Sequence, residues 1–74
     1  MNTFDDILKK YNKSWHEVTE VNKKEELGRF NVDDIVVFED ELHWIEEVHK
    51  NAEGVSVILE TMRNHNLIEV VYTV

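Results

Sequence analysis

The sequence predicts a small α+β domain, with an N-terminal helix and short helical turns leading into an antiparallel meander of about four strands. An apolar stripe at helical spacing opens the chain, and four runs rich in Val, Ile, Phe, Tyr and Trp, separated by turn-like groups, fill its second half. At 74 residues, the chain has room for a single domain around a small core. It divides into a helical head (1–29) and a strand-rich body (30–74).

The helix is expected over about residues 3–11. Asn2 or Thr3 can cap it, Asp5 and Asp6 suit its first turn, and Lys9 and Lys10 suit its last. Phe4, Ile7, Leu8 and Tyr11 form one stripe at i, i+3, i+4 and i+7. Ser14 with Glu17, and Asn22 with Glu25, repeat the capping-box pattern, so 14–27 reads as short helical turns, with Gly28 as a left-handed stop.

Strand runs follow at 35–38 (IVVF), 42–49 (LHWIEEVH), 55–62 (VSVILETM) and 67–74 (LIEVVYTV). The groups EDE, NAEG and RNHN separate them, and NAEG suits a hairpin loop with Gly54 in the left-handed position. Val55, Val57 and Leu59 alternate with polar or smaller neighbours, as do Ile68, Val70, Tyr72 and Val74. The second run reads two ways. A plain strand would put Glu46 on the face of Leu42, Trp44 and Val48, whereas a β-bulge near Glu46 would bring Ile45 and Val48 to one side. The alternative is a helix over 41–50 lying on a three-stranded sheet. The strand is preferred.

Charge is unevenly placed. The formal net charge is −8. Residues 1–29 balance, as do 61–74, whereas 30–60 carry nine carboxylates against Lys50 alone. Such a field repels phosphate backbones and favours basic partners. The clusters Lys9-Lys10-Lys13 and Lys23-Lys24 do not offset it, so direct nucleic-acid binding is not expected. The chain has no cysteine, which fits a reducing compartment. Its first residues lack a basic stretch followed by an apolar one, and no apolar run approaches the ~20 residues a membrane span needs. A cytoplasmic protein without a membrane partner is expected. Compact acidic chains of this kind are frequent among phage accessory proteins.

The segments FNVDDIVVF, LHWIEEV, GVSVIL and IEVVYTV together resemble a small SH3-like barrel of the Tudor or KOW type over residues 30–74. Asp33 stands where that pattern has Gly, a substitution Asp tolerates better than most residues. The resemblance implies a fold and carries no site with it.

Chemistry is thinly represented. His43, Glu46, Glu47 and His49 are close in sequence but lack HExxH spacing, and a solvated surface explains them better than a metal site. The pairs Asp33-Asp34, Glu39-Asp40-Glu41 and Glu46-Glu47 sit on runs where adjacent side chains point to opposite faces, which prevents most from acting together. No EF-hand pattern, nucleophile elbow or Gly-rich phosphate loop is present, so no enzyme activity, cofactor or metal is expected. Trp15, Phe30, Phe38 and Tyr72 are expected in the core; Trp44, within the acidic segment, would anchor an Arg- or Lys-bearing partner if exposed. The expected function is protein interaction: Asp33, Asp34, Glu39, Asp40, Glu41, Trp44, Glu46 and Glu47 would meet a basic protein surface, as in an inhibitor that imitates nucleic-acid charge. The alternative is an assembly domain that forms a homodimer through strand edges.

Overall fold

The computed structural model describes residues 3–74. In chain order it contains helix α1 (Phe4–Lys10), a 3₁₀ turn (Trp15–Glu17), strand β1 (Val18–Glu20), a second 3₁₀ segment (Lys24–Arg29), and strands β2 (Ile35–Phe38), β3 (Glu41–Lys50), β4 (Gly54–Thr61) and β5 (Leu67–Thr73). The strands form one sheet in sequence order, with β1 parallel to β2 and every later pair antiparallel. The sheet is thus five-stranded, mixed and open. The four-strand meander expected from sequence corresponds to β2–β5, and it does not close into a barrel.

Helix α1 starts where its cap dictates. The Thr3 hydroxyl accepts the Asp6 amide at 3.2 Å, and the Asp6 carboxylate accepts the Thr3 amide at 3.4 Å. Asn2, the other candidate cap, lies outside the described residues. Ser14 donates its amide to the Glu17 carboxylate at 3.0 Å and so opens the 3₁₀ turn. The Asn22–Glu25 box does not form, because the second 3₁₀ segment starts at Lys24 and has no side-chain cap.

The reading of 14–27 as helical turns misses β1. Val18, Thr19 and Glu20 pair with Ile35, Val36 and Val37, a contact between segments distant in sequence. Gly28 is not left-handed either, since no glycine has positive φ. Its role is close approach: its amide donates to the Tyr72 hydroxyl at 3.1 Å, and an added Cβ would collide with that oxygen. Gly54 likewise lies against the β5 backbone at Tyr72. The loop before it is built by Asn51, whose side-chain oxygen accepts the amides of Glu53 and Gly54.

Residues 41–50 are strand throughout, so the helical alternative fails. The expected bulge is present: Ile45 pairs with Leu59 and Glu47 with Ile58, which leaves Glu46 as the extra residue. Leu42 and Trp44 therefore face α1, while Ile45 and Val48 face the other side.

Each face of the sheet carries its own apolar cluster. On one, Ile7 and Leu8 of α1 pack on Ile35, Leu42 and Met62, flanked by Phe4, Tyr11, Val18, Val37 and Trp44. On the other, Val21 and Leu27 cover Val36, Ile45, Val57, Leu59 and Tyr72. Strand β2 is covered on both faces, which explains its unbroken apolar run. Leu27, Val36, Leu42, Ile45, Val57 and Leu59 are fully buried, each contributing about 1.5–3 kcal/mol by transfer.

Candidate functional site

The β2–β3 hairpin positions the acidic residues. Phe38 pairs with Glu41, so Glu39 and Asp40 form a two-residue turn. Both have positive φ, 51° and 61°, the geometry of a type I′ turn that Asn-Gly fills at least cost. Both are exposed. The same conformation recurs at Asp33, with φ 76°, where the barrel pattern has Gly.

The eight candidate binding residues do not share one surface. Asp33 and Asp34 lie beside the bulge: the Asp33 amide donates to the Ile45 carbonyl at 2.8 Å, and the Ile45 amide donates to the Asp34 carbonyl at 2.9 Å. Glu46 and Glu47 therefore belong to that end of the hairpin. Glu39, Asp40 and Glu41 occupy the other end, roughly 17 Å away at about 3.3 Å per residue. Several are already engaged. Asp34 accepts the Asn31 amide at 2.8 Å, Glu41 pairs with Arg63, and Glu47 contacts His49 at 2.7 Å. Asp33, Glu39, Asp40 and Glu46 make no ion pair among the described residues.

At the turn end, a residue from outside the expected set joins the site. Parallel pairing puts Glu20 opposite Val37. Glu20, Glu39 and Asp40 then rim an open groove of about 240 Å³ whose other lining residues are Val21, Asn22 and Val37. Glu20 is also free of ion pairs among the described residues. Periodicity could not reveal it, because its position depends on a non-local parallel contact.

The exposure of the two tryptophans differs from what their neighbours in sequence suggest for Trp15 and decides the question left open for Trp44. Trp44 is half-buried, with the Tyr11 ring edge-on at 4.7 Å and His65 stacked at 6.0 Å. The molecule's own rings pack against it, so it contributes to packing under α1. Trp15, expected in the core, is 50 % exposed. Its indole N–H donates to Asp5 at 2.7 Å, and it lines a groove of about 440 Å³ with Lys9, Lys13 and His16. Charge there is mixed, since Asp5 lies in the groove and Lys13 reaches Glu17 at 3.7 Å.

The histidines scatter. His65 Nδ1 donates to Glu60 at 3.2 Å, which leaves Nε2 to accept the Tyr11 hydroxyl at 2.9 Å and tie α1 to the β4–β5 turn. His43 is buried against Phe38, and its Nδ1 has no hydrogen-bond partner among the described residues. Desolvation holds its pKa below the ordinary 6.5, against opposing contributions from Glu41 and Glu39. His43 and His49 are thus separated, and among the described residues no three His, Asp or Glu side chains converge on a point that could hold a cation. No helix among the described residues is long and apolar enough to cross a membrane.

No protein-family model, curated protein or solved structure matches the chain.

Proposed function

We propose that the protein is a small interaction module whose β2–β3 turn, with Glu20 beside it, receives basic side chains of a partner protein. One observation carries this reading: Glu20, Glu39 and Asp40 rim a single groove with Val21 and Val37 in its lining, and none of the three is neutralised by an ion pair among the described residues. A Lys or Arg side chain suits such a place, with its stem on the valines and its head among the carboxylates. The turn backbone adds support. Glu39 and Asp40 occupy left-handed conformations that Asn and Gly fill more cheaply, so their acidity is kept at a cost in stability.

An inhibitor that imitates nucleic-acid charge is one form of this function. The second cluster, Asp33, Asp34, Glu46 and Glu47, lies on the same hairpin roughly 17 Å off, a spacing that would meet a second basic site on an extended phosphate-binding track.

The test is the double variant Glu39→Asn, Asp40→Gly. It removes two charges and relieves the turn, so stability should rise by roughly 1 kcal/mol, or about 4–8 °C in Tm. Affinity capture from lysate, with partner identification at low and high salt, should show a partner lost both at high salt and with the variant. Capture that survives salt and substitution alike would overturn the reading.

A further inference from the structure

The two edges of the sheet are treated differently. β1 is three residues long and ends at Glu20, and a short, charged edge of this kind is poorly suited to pairing. β5 is seven residues long, without Pro, Lys or a register shift against β4. It also carries exposed apolar side chains: Leu67 is 67 % and Val71 58 % accessible, and Ile68 is 42 %. Of the usual protections of an edge strand, β5 has only the single charge of Glu69.

The direction of the free backbone groups follows from the ladder. The Thr61 amide donates to the Asn66 carbonyl at 2.9 Å. Antiparallel strands alternate, so Asn66, Ile68, Val70 and Tyr72 turn their N–H and C=O toward β4. Leu67, Glu69, Val71 and Thr73 turn theirs outward.

We propose that β5 pairs antiparallel with β5 of a second copy, about a two-fold axis at Val70. Leu67 then lies opposite Thr73 of the other copy and Glu69 opposite Val71, so the whole strand is matched. A register centred on Glu69 would set two carboxylates face to face and is disfavoured. Charge selects a second copy as the occupant. The molecule's excess of −8 falls in residues 30–60, whereas β5 carries only Glu69, whose carboxylate accepts the Ser56 hydroxyl at 2.8 Å. Joined through β5, the two β3 strands stand roughly 24 Å apart at about 4.8 Å per strand, beyond the ~8 Å screening length of physiological salt. At this edge, two acidic molecules can meet without their acidic hairpins meeting. A basic partner would be drawn to the hairpins instead.

Sedimentation equilibrium over a wide concentration range should give a monomer–dimer equilibrium. Val71→Pro removes only an outward N–H, a place where an edge strand tolerates proline; it should yield a monomer with an unchanged circular dichroism spectrum. Because the chain has no cysteine, Val70→Cys supplies a second readout, independent of how the proline variant folds. Mild oxidation should link two chains at that position, and Trp15→Cys under the same conditions should not. A wild-type monomer at every concentration, a dimer indifferent to Val71→Pro, or no crosslink at position 70 would each overturn the proposal.

Discussion

The half of the sheet under α1 and the β4–β5 wing are built from similar residues and differ in what covers them. Over β2 and β3, α1 lies on one face, while Val21, Leu27 and Phe30 cover the other side of the sheet. In the wing, the face carrying Val55, Val57, Leu59 and Tyr72 is buried, but the reverse face shows Leu67 and Val71 to solvent. Apolar side chains on a strand therefore do not report burial on their own. A second layer has to be there, and α1, at seven residues, reaches the wing only at the β4–β5 turn, through Met62 and His65, and leaves Leu67 and Val71 exposed.

Substitutions on the two sides test this contrast. The largest effect is expected at Leu42, fully buried beneath α1. Leu42→Ala should cost about 2–5 kcal/mol by chemical denaturation, much of the stability of so small a domain. Leu67→Ala, the same chemistry in the uncovered wing, should change monomer stability by less than about 0.5 kcal/mol. Equal effects at the two sites would show that the wing is not bare in solution.

Next in size is the seam between the second 3₁₀ segment and the wing. Gly28→Ala forces a methyl group onto the Tyr72 hydroxyl and should cost about 1–3 kcal/mol. Tyr72→Phe, which deletes the hydroxyl, should cost about 1 kcal/mol alone and relieve the clash when combined with Gly28→Ala. A double-mutant cycle in which the two losses simply add would remove the contact from the account.

The smallest effect depends on pH. His43 is buried with its pKa depressed mainly by desolvation. The unfolded chain therefore takes up this proton at higher pH than the folded chain. The stabilisation is complete above the unfolded value of about 6.5 and is lost as pH falls toward the depressed folded value. His43→Leu should flatten the stability profile between pH 7 and 5 and add about 1 kcal/mol by removing a buried atom without a hydrogen-bond partner among the described residues. Parallel pH profiles for the wild type and the variant would contradict this.

Much of the fold was legible because it is local. Thr3 and Asp6 set the start of α1 through a box three residues wide. Asp33 tolerates its positive φ through its own side-chain chemistry. The bulge at Glu46 follows from the need to bring Ile45 and Val48 to one side. What was not legible depends on distant partners. The strand Val18–Glu20 exists because β2 lies beside it, and three residues carry too little periodicity to announce a strand. Gly28 is small because Tyr72 occupies the space, not because a helix ends there. Trp15 and Trp44 differ in exposure because Tyr11 and His65 cover Trp44, and no spacing in the sequence encodes that choice.

Local chemistry sets the element types of α1, β2, β4 and β5, the concentration of charge in the middle of the chain, and the acidity of the turn at Glu39 and Asp40; over 41–50 it favours a strand and leaves a helix open. Those preferences reside in neighbouring residues. Long-range pairing sets which carboxylates lie together, since Glu20 reaches the turn through parallel pairing while Asp33, Asp34, Glu46 and Glu47 are held at the far end. Tertiary packing also sets which apolar strand stays uncovered. Alternation gives β4 and β5 two faces each, and the reach of α1 determines which of those faces meets water.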